Sequence, residues 1–135
     1  MSDYEFTLPL NVTLERKTVK NKRVSININW FRSAHHRDYE EAKRVYCKLM
    51  GDQLNSVDGP NGKIHVHFKY YAARDNKPDL HNFVDAAKKF FFDAMVKHGF
   101  IEDDNVHVIV SSSEEYCGID RKSPRIVAKI NKIGE

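Results

Sequence analysis

KPDLHNFVDAAKKFFFDAMVKHGFIEDDNVHVIV, residues Lys77 to Val110, is the stretch that decides how this chain folds. Apolar residues recur in it at the three- and four-residue spacing of one helix face, which predicts a helix from about Asp79 to Lys97. Gly99 lies just past the predicted helix, where a left-handed residue commonly ends one. Val106 to Val110 is then typical of a strand. The predicted apolar face consists of Leu80, Phe83, Val84, Ala87, Phe91, Ala94 and Met95.

Patterns on both sides of this stretch predict the remaining elements. Alternation of apolar and polar residues predicts strands, and a second apolar helix face ends in a loop rich in glycine and proline. In chain order these are a strand Tyr4 to Leu8, a hairpin of Val12 to Val19 and Arg23 to Ile28 around Lys20 to Lys22, a helix Tyr39 to Leu54 with Asp38 as N-cap, a strand Lys63 to Tyr71, and a last strand Arg125 to Ile133. The predicted order is β-ββ-α-β-α-β-β. We therefore expect an α+β fold, one domain over residues 1–135 with two main helices packed on a mixed sheet.

Composition excludes several classes of protein. The 135 residues suit one domain, and no apolar run reaches the length of a membrane span. Cys47 and Cys117 stand alone, so they form neither a disulfide framework nor a zinc knuckle, and we expect a reduced, cytoplasmic protein. The net charge is only +3, but basic residues gather in 15–44 and acidic residues at 102–104 and 114–115. This distribution suits a phosphate backbone in one place and a cation in another.

One ordered series of residues resembles a known family. The series is Asp79-Leu80-His81-Asn82, Lys89, Phe92-Asp93-Ala94, Gly99-Phe100 and Asp103-Asp104. It resembles the RusA-type Holliday junction resolvases, with a weaker likeness in Tyr4 to Pro9 and, to phage-borne relatives, in Asn29 to His36. The resemblance implies a RusA-like fold and a homodimer that nicks opposed strands of a four-way DNA junction, with Mg²⁺ or else Mn²⁺ as cofactor.

The resemblance also implies the site residues. Asp79 and Asp104 match the family's essential aspartates and are the expected metal ligands, since carboxylates hold divalent ions against phosphate oxygens. His81 stands where the family usually has a second aspartate, and we expect it to be a metal ligand and a catalytic residue. Because imidazole brings no negative charge, the resemblance implies a metal site that binds Mg²⁺ more weakly, prefers Mn²⁺ or is inactive. Lys89 matches the catalytic lysine. An insertion of about four residues, close to one helical turn, leaves Lys88 as a rival.

Candidate DNA contacts lie mostly in the basic part of the chain. They are Lys17, Lys20, Lys22, Arg23, Arg32, His35, His36 and Lys88. Trp30 and Phe31 are candidates for stacking on unpaired bases, with a packed loop as the alternative. For the dimer we expect Phe90 to Phe92 and the strand face of Phe68 and Tyr70 to supply apolar surface.

Three hypotheses of function follow. The first is the resolvase, an enzyme. The second is a catalytically weakened protein of the same fold that holds branched DNA without cutting it, because His81 replaces a ligand. The third is a hydrolase of another substrate, with a zinc site built from His65, His67, Asp79 and His81. Nicking of a labelled junction separates the first two, and bound zinc identifies the third.

Overall fold

The computed structural model describes residues 2–134, which form six strands and three helices. The strands are β1 (Tyr4–Leu8), β2 (Asn11–Leu14), β3 (Lys22–Ser25), β4 (Ile64–Ala72), β5 (Ile109–Ile119) and β6 (Arg125–Lys132). The helices are α1 (Ile28–Ser33), α2 (His36–Leu54) and α3 (Leu80–Lys97). Within these residues no helix combines the length and the apolar character needed to cross a membrane.

A mixed sheet of four strands forms the centre of the fold, in the order β1-β6-β4-β5. β4 and β5 are parallel and are connected through α3, whereas β6 pairs antiparallel with both β1 and β4. β2 and β3 form a separate antiparallel hairpin. The predicted α+β fold with a mixed sheet is therefore confirmed.

The hydrophobic core lies between one face of this sheet and the two long helices. Alternation along β4 buries Ile64, Val66 and Phe68, while the side chains between them point to the other face. α3 buries most of the predicted apolar face and also Ala86 and Phe90, whereas Leu80 and Phe83 of that face are only partly buried. α2 packs on α3 and on the hairpin. Burial of these large apolar side chains is the main force that holds the helices on the sheet.

Several predicted boundaries were wrong. β5 does not end at Val110 but continues to Ile119, and its residues 111–119 lack apolar alternation because β5 is an edge strand with much of its surface exposed. The short helix α1 was not predicted. α2 begins at His36 rather than Tyr39, and His35, not Asp38, is its N-cap. The hairpin strands are shorter than expected, four residues each.

The prediction that aromatic residues of α3 and β4 supply a dimer interface was wrong for four of the five residues, and only Phe92 is half-buried rather than enclosed. Phe90 and Phe91 are 1% and 0% exposed, and Phe68 and Tyr70 are 0% and 3% exposed. These side chains form the core of a single chain, because α2, α3 and the sheet face one another there. Exposed large apolar side chains lie elsewhere, three of them on β5 (Val110, Tyr116 and Ile119) and the others at Val19, Leu49, Val57, Val106 and Ile133.

Candidate active site

Asp79 begins α3 as its N-cap, directly before the first helical residue. Its Oδ1 accepts hydrogen bonds from the backbone N–H groups of His81 (3.1 Å) and Asn82 (3.4 Å). Both bonds use the same oxygen, which leaves the second carboxylate oxygen outside the cap. Upstream, Lys77 has φ +55°, a left-handed conformation that is unusual for a residue other than glycine. Asp79 therefore has a structural role that does not occupy its whole carboxylate.

Three side chains converge beside the start of α3. One ligand atom each from His81, Asp85 and Glu114 lies within 4.8 Å of the other two. His81 and Asp85 are one turn apart on α3, so they share a helix face. Glu114 is paired in register with Phe68 of β4, and since Phe68 faces the helices, Glu114 faces them too. We call these three residues the acidic cluster.

The acidic cluster has the donor set of a divalent-cation site. Two carboxylates and one imidazole offer three ligands, and His81 Nδ1 lies 3.3 Å from Glu114 Oε1. Carboxylate oxygens are good ligands for both Mg²⁺ and Mn²⁺. The imidazole of His81 shifts the preference of the site toward Mn²⁺, the softer ion. The side chain of His81 is 67% exposed and that of Glu114 only 21%, so the cluster opens to solvent on the helix side. A large polyanionic substrate therefore has access to it.

Two members of the cluster were not among the expected site residues. Asp85 stands four residues after His81 on the predicted helix, and that spacing by itself indicates a shared face. Glu114 could not be recognised, because the strand that carries it was predicted to end at Val110. Its position depends on the pairing of β4 with β5.

Asp104 lies far from the acidic cluster within one chain. It follows the C-terminal end of α3, whose 18 residues span about 27 Å at a rise of 1.5 Å per residue. The segment forms a tight turn in which Asp103 Oδ1 accepts from the Asp104 backbone N–H at 2.7 Å. Beside it, Glu102 and Asp103 line a cleft of about 1060 Å³. Within residues 2–134, His81 is a member of the acidic cluster, whereas Asp79 and Asp104 are not.

The two rival lysines follow Asp85 by three and four residues on α3. The Lys88 amine lies 5.7 Å from the centre of the Phe68 ring, and its side chain is half-buried. Lys89 is exposed. Lys88 is thus held against an aromatic face by a cation–π contact, whereas Lys89 is free to reach a substrate.

The expected DNA-contact residues of the N-terminal half are all exposed. Three of them also have a side-chain partner: Lys22 pairs with Asp38 at 3.2 Å, Arg23 Nε donates to Asn11 Oδ1 at 2.8 Å, and His35 Nδ1 accepts from the Arg37 backbone N–H at 3.1 Å as the cap of α2. The others are Lys17 and Lys20 in the hairpin loop, Arg32 on α1 and His36 at the start of α2.

Phe31 packs inward rather than toward a base. Its ring centre lies 4.9 Å from that of Phe90 and 5.0 Å from that of Tyr39. The packed-loop alternative is therefore correct for Phe31. Trp30 is only partly buried against the core, and its ring centre lies 6.0 Å from that of Phe31.

His65 and His67 belong to the opposite face of the sheet. They project from β4 away from α3, where both contact Ser113 Oγ, at 2.9 and 2.6 Å. His67 Nε2 also bonds Glu115 Oε1 at 2.8 Å, and this hydrogen bond lowers the pKa of Glu115. A zinc site that joins these histidines to Asp79 and His81 is therefore excluded, because the sheet lies between the two pairs.

Comparison with protein families identifies a match. A family model described as "Endodeoxyribonuclease RusA" matches residues 9–131. A comparison with curated proteins finds no match. The family model covers all three helices and the acidic cluster.

Proposed function

Because the chain belongs to the RusA family of endodeoxyribonucleases, we propose that residues 1–135 form one metal-dependent nuclease unit that resolves four-way DNA junctions by paired nicks. The observation that carries this proposal is the convergence of His81, Asp85 and Glu114 within 4.8 Å near the start of α3. Phosphodiester hydrolysis needs negative charge to be stabilised as it develops. An acidic cluster that opens to solvent on a DNA-processing fold suits that chemistry.

Mg²⁺ or Mn²⁺ is the proposed cofactor. Asp85, Glu114 and His81 would hold it, with Asp79 at the helix start as a further ligand. When bound, such an ion lowers the pKa of a water molecule and stabilises charge on the phosphate. Lys89, exposed on the next turn of α3, is proposed to stabilise the phosphate oxygens directly.

A homodimer is the proposed working unit, since resolution of a junction needs matched nicks in two opposed strands. Asp104 supports a specific arrangement. It stands at the far end of α3 from Asp79, so the two can share one site only if they come from different chains.

The free edge of β5 suits this arrangement. β5 is the last strand of the sheet order, and it carries exposed apolar side chains. If the β5 strands of two copies paired antiparallel, the segment that precedes β5 in one copy would lie beside the C-terminal end of β5 in the other. The Asp103-Asp104 turn of each copy would then approach the acidic cluster of its partner.

DNA is proposed to contact exposed basic residues and histidines of the N-terminal half together with Lys88; the N-terminal set is Lys17, Lys20, Lys22, Arg23, Arg32, His35 and His36. Because several phosphates would be neutralised, binding should weaken steeply with added salt.

Nicking of an end-labelled four-way junction tests the proposal. We expect paired nicks in Mg²⁺ or Mn²⁺, none in EDTA, and little cutting of a linear duplex with the same arm sequences. Light scattering should give about twice the chain mass of 15.7 kDa. A linear duplex cut as fast as the junction would contradict the proposal.

The alternative is a catalytically weakened protein that binds branched DNA, and the histidine at position 81 favours it. This alternative predicts tight junction binding with no nick in either metal.

A further inference from the structure

A second cavity lies on the other side of the start of α3, between the β2–β3 hairpin, the end of β4 and the segment before β6. It has a volume of about 240 Å³. This is room for a planar group of the size of a nucleobase, and it is smaller than the pockets of about 300–1,000 Å³ that usually hold whole small-molecule ligands.

The base of the cavity is apolar and flat. Tyr70 and Phe83 line it and are stacked on each other, with ring centres 5.0 Å apart and planes at 26°. Tyr70 is buried at 3% exposure, whereas Phe83 is only partly buried and keeps surface toward the cavity. Pro124 adds a further apolar surface. Aromatic faces of this kind bind the π-face of any base.

The rim of the cavity is cationic. Arg23 and Arg74 both line it, both are exposed, and within residues 2–134 neither forms an ion pair. Arg23 Nε donates to Asn11 Oδ1 at 2.8 Å, which orients the guanidinium and leaves the Asn11 amide N–H groups available. No aspartate or glutamate is among the lining residues. The cavity thus combines an aromatic base, amide donors and a rim that attracts phosphate.

We propose that this cavity receives one unstacked nucleobase of the branched DNA, with the adjoining phosphate on Arg23 and Arg74. The inference rests on the proposed function and adds a base-reading site to it. Arg74 and Asn76 lie in the segment that connects β4 to Asp79. Along the chain this segment is only a few residues from His81, so a base held in the cavity would position the DNA strand near the acidic cluster. A branch point supplies such a base more readily than a continuous duplex, because pairing and stacking are already disturbed there.

Photo-crosslinking tests the inference directly. 5-Iododeoxyuridine is placed in turn at each position near the crossover, the junction is bound in EDTA so that no cutting occurs, and crosslinked peptides are mapped by mass spectrometry. We expect crosslinks to Tyr70 or Phe83 from one or two positions. Arg74→Gln should reduce both the crosslink yield and the junction affinity, the latter about ten-fold, as for loss of one charge-assisted hydrogen bond. Lys48→Gln, which removes one positive charge from an exposed position on α2 outside the basic segment 15–44, should change neither.

Each contrary outcome is distinct. Junction binding with crosslinks only to other aromatic residues, such as Trp30, would overturn this inference and leave the proposed function intact. Failure to bind any junction would overturn both.

Discussion

His81 of α3 and Glu114 of β5 are in contact, with 3.3 Å between Nδ1 and Oε1. They meet because β5 runs parallel to β4 and places Glu114 in register with Phe68, on the sheet face that α3 covers. Asp85 completes the group one helical turn after His81. Residues that are distant in sequence therefore form one candidate cation site. The expected effects of substitutions at Glu114, Asp85 and His81 depend on this contact.

Glu114→Gln and Asp85→Asn should each reduce junction nicking by more than about 100-fold, which exceeds the loss of 10- to 100-fold typical for residues that only support a metal ligand. Junction binding should persist or improve, because a negative charge near DNA is lost. Glu115→Gln is the matched control, since the adjacent side chain points to the other sheet face and bonds His67. If Glu114→Gln and Glu115→Gln retained equal nicking rates, Glu114 would not be a ligand.

His81→Asp should lower the Mg²⁺ concentration needed for half-maximal nicking and raise the rate. The substitution replaces an imidazole by a third carboxylate, and Mg²⁺ prefers oxygen ligands. Nicking is measured over a titration of Mg²⁺ and, in parallel, of Mn²⁺. An unchanged metal dependence in both titrations would mean that His81 lies outside the site.

Lys89→Ala should reduce turnover on the order of 10²-fold with little change in junction affinity, because the amine acts on charge that develops in the transition state. Lys88→Ala should act less on turnover, since the Lys88 amine lies over the Phe68 ring. Single-turnover rates on saturating protein separate the two effects. If Lys89→Ala left the single-turnover rate unchanged and Lys88→Ala reduced it strongly, Lys88 would be the residue that stabilises the transition state.

Asp79→Asn and Asp104→Asn should each abolish nicking, yet a mixture of the two proteins should regain it. Asn caps a helix as well as Asp does, so Asp79→Asn leaves the start of α3 intact. If Asp104 acts in the partner's site, a mixed dimer carries one doubly altered site and one intact site. It should therefore nick one strand but not two opposed strands. No recovery in the mixture would mean that both residues act in one chain or that one of them is not a ligand.

Asp38→Asn should destabilise the fold at neutral pH by about 1 kcal/mol and have no effect in acid. Burial raises the pKa of Asp38, but Lys22 and Arg16 lower it by more, so the folded pKa lies below the ordinary 3.8. The carboxylate therefore stabilises the fold above about 3.8, and this contribution is lost as the pH falls through the folded value. Urea unfolding at pH 7 and well below 3.8 measures it. Glu40→Gln, whose side chain forms no ion pair within residues 2–134, is the control.

The sequence by itself determined the elements with a strong local period. The alternation of Ile64, Val66 and Phe68 predicted β4, and the apolar spacing of α3 predicted its buried face, because side-chain direction along a strand or helix follows from backbone geometry alone. The left-handed Gly99 (φ +72°) was also predicted, because a residue without a Cβ adopts that conformation readily at a helix end. The family could be recognised from the residues around α3 without any knowledge of their arrangement in space.

Only the tertiary structure decided which side chains meet. The pairing of β5 with β4 brought Glu114 to His81 and set His65 and His67 on the other face, although nothing in their local pattern distinguishes the two faces. The length of α3 separated Asp79 from Asp104, and the core enclosed the aromatic residues that had been expected at an interface. These relationships join segments far apart along the chain. They depend on how sheet and helices pack, which is a property of the whole core rather than of any one stretch.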